Sequence, residues 1–229
     1  MLVVPLGLII GAVADAALTA TLIARYPAVM RLDGSGPLLA VLVAGLVAVV
    51  GAAVVGLLVR GRLLRSAAAT GARWGLVLGG LWSLEMTVAN EWYMFGRWRL
   101  VLYYGAILSV AVLNVLAGAL AAYRHRRILA GSLVGLWAGL VSGLVGLATM
   151  QLQALLTMPV LRADPQNVAE AAHTDLTTHI VSEQIVAGIS HLVLVGMIAG
   201  TVLATIGALV GWGIRDASSV APPASPAVR

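Results

Sequence analysis

Apolar residues occur along this chain in six long runs, and polar residues are concentrated in the segments between them. An α-helix needs about 20 mostly apolar residues to cross a bilayer. The pattern therefore predicts six transmembrane helices, over residues 2–24, 37–59, 74–95, 100–122, 131–158 and 185–214. The expected fold class is all-α, a helical bundle of a multi-pass integral membrane protein. Residues 1–214 are expected to form a single transmembrane domain.

The segment before the last run has a different pattern. Asp164 followed by Pro165 is typical of a helix start, because aspartate caps the N-terminus and proline is favoured in the first helical position. Apolar residues then recur at helical spacing, at Val168, Ala172, Leu176 and Ile180. This spacing predicts an external amphipathic helix over about 165–184, lying on the membrane surface. The tail at 215–229 is rich in alanine, proline and serine and is expected to be disordered.

Composition supports a membrane protein and argues against nucleic-acid binding. Hydrophobic residues make up 61% of the chain and charged residues 10%, and the mean hydropathy is +1.01. A soluble domain has about 25% charged residues. The formal net charge of +5 comes from 14 basic residues, all arginine, which flank the apolar runs and form no patch with interleaved aromatics. The bilayer is thus the expected partner, and nucleic acid is not.

The distribution of arginine predicts the orientation. Nine arginines fall on the side of the chain that holds both termini, and five fall on the opposite side. Cytoplasmic loops carry the excess of basic residues, so both termini are expected to be cytoplasmic. The expected location is a prokaryotic inner (plasma) membrane.

A stripe of small residues dominates the fifth run. Glycine recurs every fourth residue, at Gly131, Gly135, Gly139 and Gly143. Such stripes allow helix backbones to approach closely where lipid supplies no hydrophobic driving force between helices. Two interpretations stay open, packing within one chain and an interface to a second copy or a membrane-complex partner.

Two carboxyl groups lie inside predicted spans. Asp15 extends the glycine-containing face of the first span, and Glu85 lies near the middle of the third, among tryptophans and aliphatic residues. An ionisable residue at this depth costs about 2.5–3.5 kcal/mol on insertion scales and therefore usually faces protein or a water-filled cavity. Both are candidate protonation sites, and Asn114 of the fourth span is a candidate polar contact. The alternative is that each acid is neutral or paired and serves packing only.

A second polar group is predicted near the external ends of the spans. It comprises Glu91, Gln151, Gln153 and His191. Just before the last span, Asp175, His179 and Glu183 recur at every fourth residue. Together with His191 they form a candidate metal site, since imidazole and carboxylate both suit zinc. The same spacing also produces ordinary surface ion pairs.

Several other chemistries are not expected. The chain has no cysteine, which excludes disulfides, thiolate metal sites and cysteine nucleophiles. Only His191 looks embedded, too few histidines for a haem held between facing helices. No G-x-S-x-G or zincin motif is present. No cofactor is therefore expected, and an enzyme is less expected than a transporter.

Three functions remain from the sequence. The first is a proton-linked transporter of small solutes or ions that uses Asp15, Glu85 and Asn114. The second is a non-catalytic membrane subunit or scaffold packed through its glycine stripes. The third is a metal-dependent membrane enzyme with an external site of histidine and carboxylate. The two carboxyl groups within spans favour the first.

Overall fold

The computed structural model describes residues 3–58, 61–91, 97–171 and 174–220, and these form helices joined by short turns. The helices and their bounds are α1 (Val3–Arg25), a 3-10 turn (Pro27–Arg31), α2 (Ser35–Leu58), α3 (Arg62–Glu91), α4 (Arg97–His125), α5 (Ile128–Leu156), α6 (Met158–Ala163), α7 (Pro165–Ala171), α8 (Leu176–Ser190), a π-helical segment (His191–Gly200) and α9 (Thr201–Val220). Because α8, the π-helical segment and α9 follow one another without a break, we call residues 176–220 the C-terminal helix.

Within the described residues, five helices are long and apolar enough to cross a membrane: α1, α2, α4, α5 and the C-terminal helix. The predicted all-α membrane bundle is therefore confirmed. Helix α3, at 30 residues, is also long enough, but it carries three arginines in its first half and Glu85 in its second. Its crossing of the bilayer stays a prediction.

Helix α5 is the most buried of these helices and lies at the centre of the bundle. Its glycine stripe faces the C-terminal helix of the same chain, with Gly131 against Ala208, Gly135 against Ala204, Gly139 against Gly196 and Gly143 against Leu192. The partner numbers fall as the α5 numbers rise, so the two helices are antiparallel. Because glycine has no side chain, the backbones of α5 and the C-terminal helix come into close contact along this stripe.

Helices α1 and α3 pack on α5 in the parallel direction. Gly71 of α3 lies against Val134, and Gly79 lies against Val145. The same register continues toward the C-terminal ends of the two helices, where the Ser83 and Thr149 hydroxyls are 2.7 Å apart. The small and polar residues of α3 thus point to α5, which leaves the face that holds Glu85 for other neighbours.

Three element boundaries differ from the sequence-based prediction. Helix α3 begins at Arg62, twelve residues before the predicted start at residue 74, because the arginine-rich segment is itself helical. Helix α9 extends to Val220, so residues 215–220, the start of the tail predicted to be disordered, are helical. Residues 221–229 lie outside the described part. The region predicted as one helix over 165–184 is two helices, α7 and α8.

The second of these helices has its own start signal. The Asp175 carboxylate accepts a hydrogen bond from the Thr178 backbone N–H at 2.9 Å, which makes Asp175 the N-cap of α8. A new cap begins a new helix, so the apolar spacing that continues from Val168 to Ile180 does not describe one continuous element. Val168 is exposed and Ile180 is buried, while Ala172 lies outside the described residues.

The Asp175 cap gives a stability prediction. The Thr178 backbone N–H and hydroxyl hold the pKa of Asp175 below its usual range. We expect Asp175→Ala to destabilise the folded protein by about 1 kcal/mol at pH 7, the usual value of an N-cap. Because the pKa is lowered in the folded state, the contribution is present above the ordinary aspartate pKa of about 3.9 and is lost as the pH falls through the lowered value.

Thermal denaturation in mild detergent at pH 7 and at successively lower pH measures this difference. The difference between the wild type and Asp175→Ala should begin to shrink as the pH falls below the ordinary aspartate pKa of about 3.9, and it should shrink further at lower pH. A difference that stays constant down to the lowest pH at which the protein remains folded would mean that ionisation of Asp175 does not support the cap.

Candidate functional site

A cavity of about 680 Å³ lies between α4 and the C-terminal helix, with α3 on its inner side. Helices α4 and α9 run parallel, since Val115 lies against Gly207 and Ala119 lies against Gly211. They also meet closely where Gly118 lies against Ala204. On the N-terminal side of these contacts the two helices are farther apart, and the cavity lies between them. The cavity is therefore a cleft closed at one end by the glycine contacts, and we call it the α4 cleft.

The α4 cleft is long and has one polar end. Along α4 its lining runs from Arg99 to Asn114, or roughly 22 Å at about 1.5 Å per helical residue. Ionisable and hydroxyl side chains are concentrated near the Arg99 end, and the middle of the cleft is lined by aliphatic residues such as Ile107, Val195 and Ala199. A volume of this size is within the range of small-molecule sites in proteins.

Glu85 lines the α4 cleft and is the acidic residue in its lining. Its side chain is only 7% exposed, and the charge that acts on it is that of Arg99. Trp82 and Met86, on the same face of α3, line the cleft beside it.

Arg99 links the cleft entrance to the loop between α6 and α7. Its guanidinium donates a hydrogen bond to Asp164 Oδ2 at 3.2 Å, and Asp164 Oδ1 accepts a hydrogen bond from the Gln166 backbone N–H at 2.9 Å. Asp164 is thus both the predicted cap of α7 and the partner of Arg99. Both oxygens of this buried carboxylate, which is 3% exposed, therefore have a hydrogen-bond partner.

His191 enters the cleft at the first residue of the π-helical segment. Its ring packs edge-on against Trp82, with the ring centroids 4.6 Å apart, and its Nδ1 is 3.2 Å from the Ala187 carbonyl oxygen. Its Nε2 is buried and has no hydrogen-bond partner among the described residues. Segments of π-helix are uncommon and frequently occur at functional sites.

Asn114 lies at the closed end of the cleft. Its amide donates to the Val110 carbonyl at 2.9 Å, and its Oδ1 lies beside Gly200 with no hydrogen-bond partner in the described part of the chain. The residue is 3% exposed. An acceptor left unsatisfied in a buried position costs about 1–3 kcal/mol, so a ligand that donates a hydrogen bond there would be favoured.

Asp15 does not line the α4 cleft. It faces α5 from the other side, 1% exposed, and neither carboxyl oxygen has a hydrogen-bond partner among the described residues. One turn further on, Thr19 donates to the Asp15 carbonyl oxygen at 2.9 Å and accepts from the Gln151 amide at 2.6 Å. Helix α5 therefore separates Asp15 from the cleft that holds Glu85.

The predicted external group of Glu91, Gln151, Gln153 and His191 is not a single cluster. Gln151 faces α1 through Thr19, whereas Gln153 donates to Thr87 of α3 at 3.4 Å. Residues two apart on a helix point in nearly opposite directions, which explains their separation. His191 belongs to the α4 cleft, and the side chain of Glu91 lies outside the described part.

The four residues predicted as a metal site are also apart. Asp175 caps α8, and His179 Nε2 lies 3.9 Å from Glu170 Oε2. Glu183 is exposed, and His191 lies in the cleft against Trp82. Within the described residues no group of three or more histidine, cysteine, aspartate or glutamate side chains is arranged to hold a metal ion. A helix cap accounts for Asp175, and the contact with Glu170 accounts for His179.

The cleft is also lined by Trp82, Arg99 and Tyr103, which were not among the candidate site residues predicted from the sequence. A signal for the last two was present, because Arg99, Tyr103, Ile107 and Ala111 recur every fourth residue and so share one face of α4. Arg99 is also one of the five arginines on the side predicted to be external, where the orientation rule does not place an excess of arginine.

No family model matches this chain, and no curated protein or solved structure is significantly similar to it. The fold itself defines the class, which is a helical integral membrane protein with several spans.

Proposed function

We propose that the protein is a transporter of small solutes or ions, with the α4 cleft as its solute site. In this proposal Glu85 is the protonation site within the cleft and Asn114 a polar contact at its closed end. Asp15 is a second protonation site, on the other side of α5. The observation that carries the proposal is the carboxyl group of Glu85 on a cleft of about 680 Å³ within a membrane bundle.

The surroundings of Glu85 support a change of charge during transport. Intramembrane acids usually face a protein interior or a water-filled cavity and often take part in proton relays. Glu85 faces such a cavity, and Arg99, the nearby charge, is held by Asp164 at 3.2 Å. A carboxyl group in this position is sensitive to what fills the cleft, since a cation, water or an apolar group changes its solvation.

The proposal includes α3 as a sixth span and a location in a prokaryotic inner membrane with both termini cytoplasmic. The packing of α3 on α5 supports the span, because the register from Gly71 to Thr87 extends roughly 24 Å at about 1.5 Å per residue. This length approaches the thickness of a hydrocarbon core of about 30 Å. The excess of arginine on the side of the termini supports the orientation.

A scaffold or non-catalytic membrane subunit is the second candidate. The observation in its favour is the packing of the Gly131–Gly143 stripe against the backbone of the C-terminal helix, which makes the centre of the bundle rigid. A scaffold needs no protonatable residue in a cleft. Flux that depends on Glu85 therefore separates the two candidates.

The test is proton movement in proteoliposomes. Purified protein is reconstituted with a pH-sensitive dye inside, and amino acids, organic acids, organic amines and inorganic ions are added outside in separate assays. We expect at least one of these classes to drive proton movement with the wild type, and the double variant Asp15→Asn, Glu85→Gln to lose it.

Glu170→Gln is the matched control, because Glu170 does not line the cleft and the glutamine keeps an oxygen that can accept the hydrogen bond from Gln166 Nε2 at 2.7 Å. Wild-type rates in the double variant would reject this mechanism. Absence of any response to every solute class would favour the scaffold.

A further inference from the structure

We propose, resting on the function proposed above, that the substrate of the α4 cleft is an amphipathic cation, with an ammonium head at the Arg99 end and an alkyl chain along the aliphatic wall of the cleft. The polar and apolar parts of the lining have this arrangement. Glu85, His191, Ser190 and Gln166 line the cleft together with Arg99, whereas Ile107, Val195, Ala199 and Leu203 line its length.

The charge of the polar end favours a cation. Arg99 is neutralised by Asp164 at 3.2 Å, which leaves the carboxylate of Glu85 as the charge available to a ligand. Among the described side chains at this end, Arg99 and Asp164 balance each other, and Glu85 adds a negative charge when it is ionised. An anion would have to compete with Asp164 for Arg99.

Aromatic rings add to this preference. Trp82 and Tyr103 both line the cleft together with Glu85, and Tyr103 is 45% exposed. The faces of aromatic rings attract ammonium groups, and sites for quaternary ammonium ligands combine such rings with a carboxylate. Tyr103 precedes Ile107 by one turn on α4, so a head group at the tyrosine places its chain along the aliphatic wall.

The outer wall of the cleft is open enough for an alkyl chain. Leu100, Tyr103 and Ile107 line the cleft and are also exposed on the side of the bundle. In a bilayer these side chains face lipid, so a chain can enter from the side as well as from the Arg99 end. Each methylene that leaves water for this aliphatic wall is stabilised, and affinity should therefore rise with chain length.

Equilibrium binding to protein in lipid nanodiscs tests this inference without any transport step. The probes are three ligands of one chain length, hexyltrimethylammonium, hexanoate and hexanol, each corrected for uptake by empty nanodiscs. We expect the cation to bind at least tenfold more tightly than the other two. We expect Glu85→Gln to reduce its affinity at least tenfold and Glu170→Gln to leave it unchanged.

Circular dichroism and elution from size-exclusion chromatography verify that each variant is folded. A second variant, Tyr103→Leu, keeps the apolar bulk and should weaken the cation about threefold to tenfold while leaving hexanol unchanged. Equal binding of the three probes, or cation binding that is indifferent to Glu85→Gln in a folded protein, would overturn the inference.

These outcomes are distinct from failure of the transporter proposal. Cation binding that depends on Glu85, without proton movement in proteoliposomes, would retain the ligand class and reject transport. Glu85-dependent proton movement driven by organic acids or amino acids, with no preference for the cation in binding, would retain transport and reject the ligand class.

Discussion

Replacing Gly139 with alanine is expected to destabilise the bundle strongly. A Cβ atom at this position would meet the backbone carbonyl of Gly196 on the C-terminal helix. A flexible side chain could move aside, but a helix backbone cannot, so α5 and the C-terminal helix must separate. We expect a loss of about 3 kcal/mol, the upper end of the usual cost of overpacking.

Gly80→Ala is the matched control, because the same methyl group at Gly80 meets nothing within 4 Å. Alanine is favoured over glycine in a helix by about 0.5–1 kcal/mol, so this variant should be neutral or slightly more stable. Thermal denaturation in mild detergent compares the two. Similar stability of both variants would mean that the α5 stripe is not closely packed against the C-terminal helix.

Filling the α4 cleft is expected to stop transport without unfolding the bundle. Ala199 lines the cleft from the π-helical segment, and an indole ring at this position would occupy the space between the two walls. The contacts that hold α4 to α9 lie deeper, at Gly118 with Ala204 and at Val115 with Gly207. We expect Ala199→Trp to reduce proton movement in proteoliposomes more than tenfold, with little change in thermal stability.

Val47→Trp controls for the bulk of the new side chain, because Val47 lies on the outside of α2 and is 64% exposed. This variant should keep the wild-type rate. Transport that survives in Ala199→Trp would show that the solute does not pass through the α4 cleft. Loss of transport together with loss of the folded elution peak would instead count against the packing described for α4 and α9.

The membrane fold was predictable because one physical requirement dominates it. A span must be long and apolar, and this property is local to each run of residues. The predicted helix boundaries were wrong where the local polarity or apolar spacing did not correspond to a helix end. The segment from Arg62 to Arg73 is polar but helical, and Asp175 begins a new helix within a stretch of continuous apolar spacing.

The candidate site was predictable only in part, because it depends on which helix faces meet. The spacing within α3 indicated that Glu85 points away from the small and polar residues of that helix, and those residues do face α5. Which helix lies opposite Glu85 is set by long-range packing. The same limit explains why His191 was grouped with Gln151 and Gln153, although the three side chains point to different neighbours.

Asp15 is a buried carboxyl group that does not share a site with Glu85. Its burial was expected from its depth in the first span, but the helix that it faces was not predictable, since the packing of α1 against α5 joins Thr19 to Gln151, 132 positions apart. Asp15 and Glu85 lie on opposite sides of α5. Their contributions can be measured separately.

The most direct measurement is the rate of proton movement in proteoliposomes that contain the single variant Glu85→Gln, beside the wild type and Glu170→Gln. With Glu85 as the protonation site of the α4 cleft, the rate for Glu85→Gln falls to that of protein-free liposomes, and the rate for Glu170→Gln equals the wild type. A wild-type rate in Glu85→Gln, from protein that is folded and equally reconstituted, would contradict the assignment of Glu85 as the protonation site.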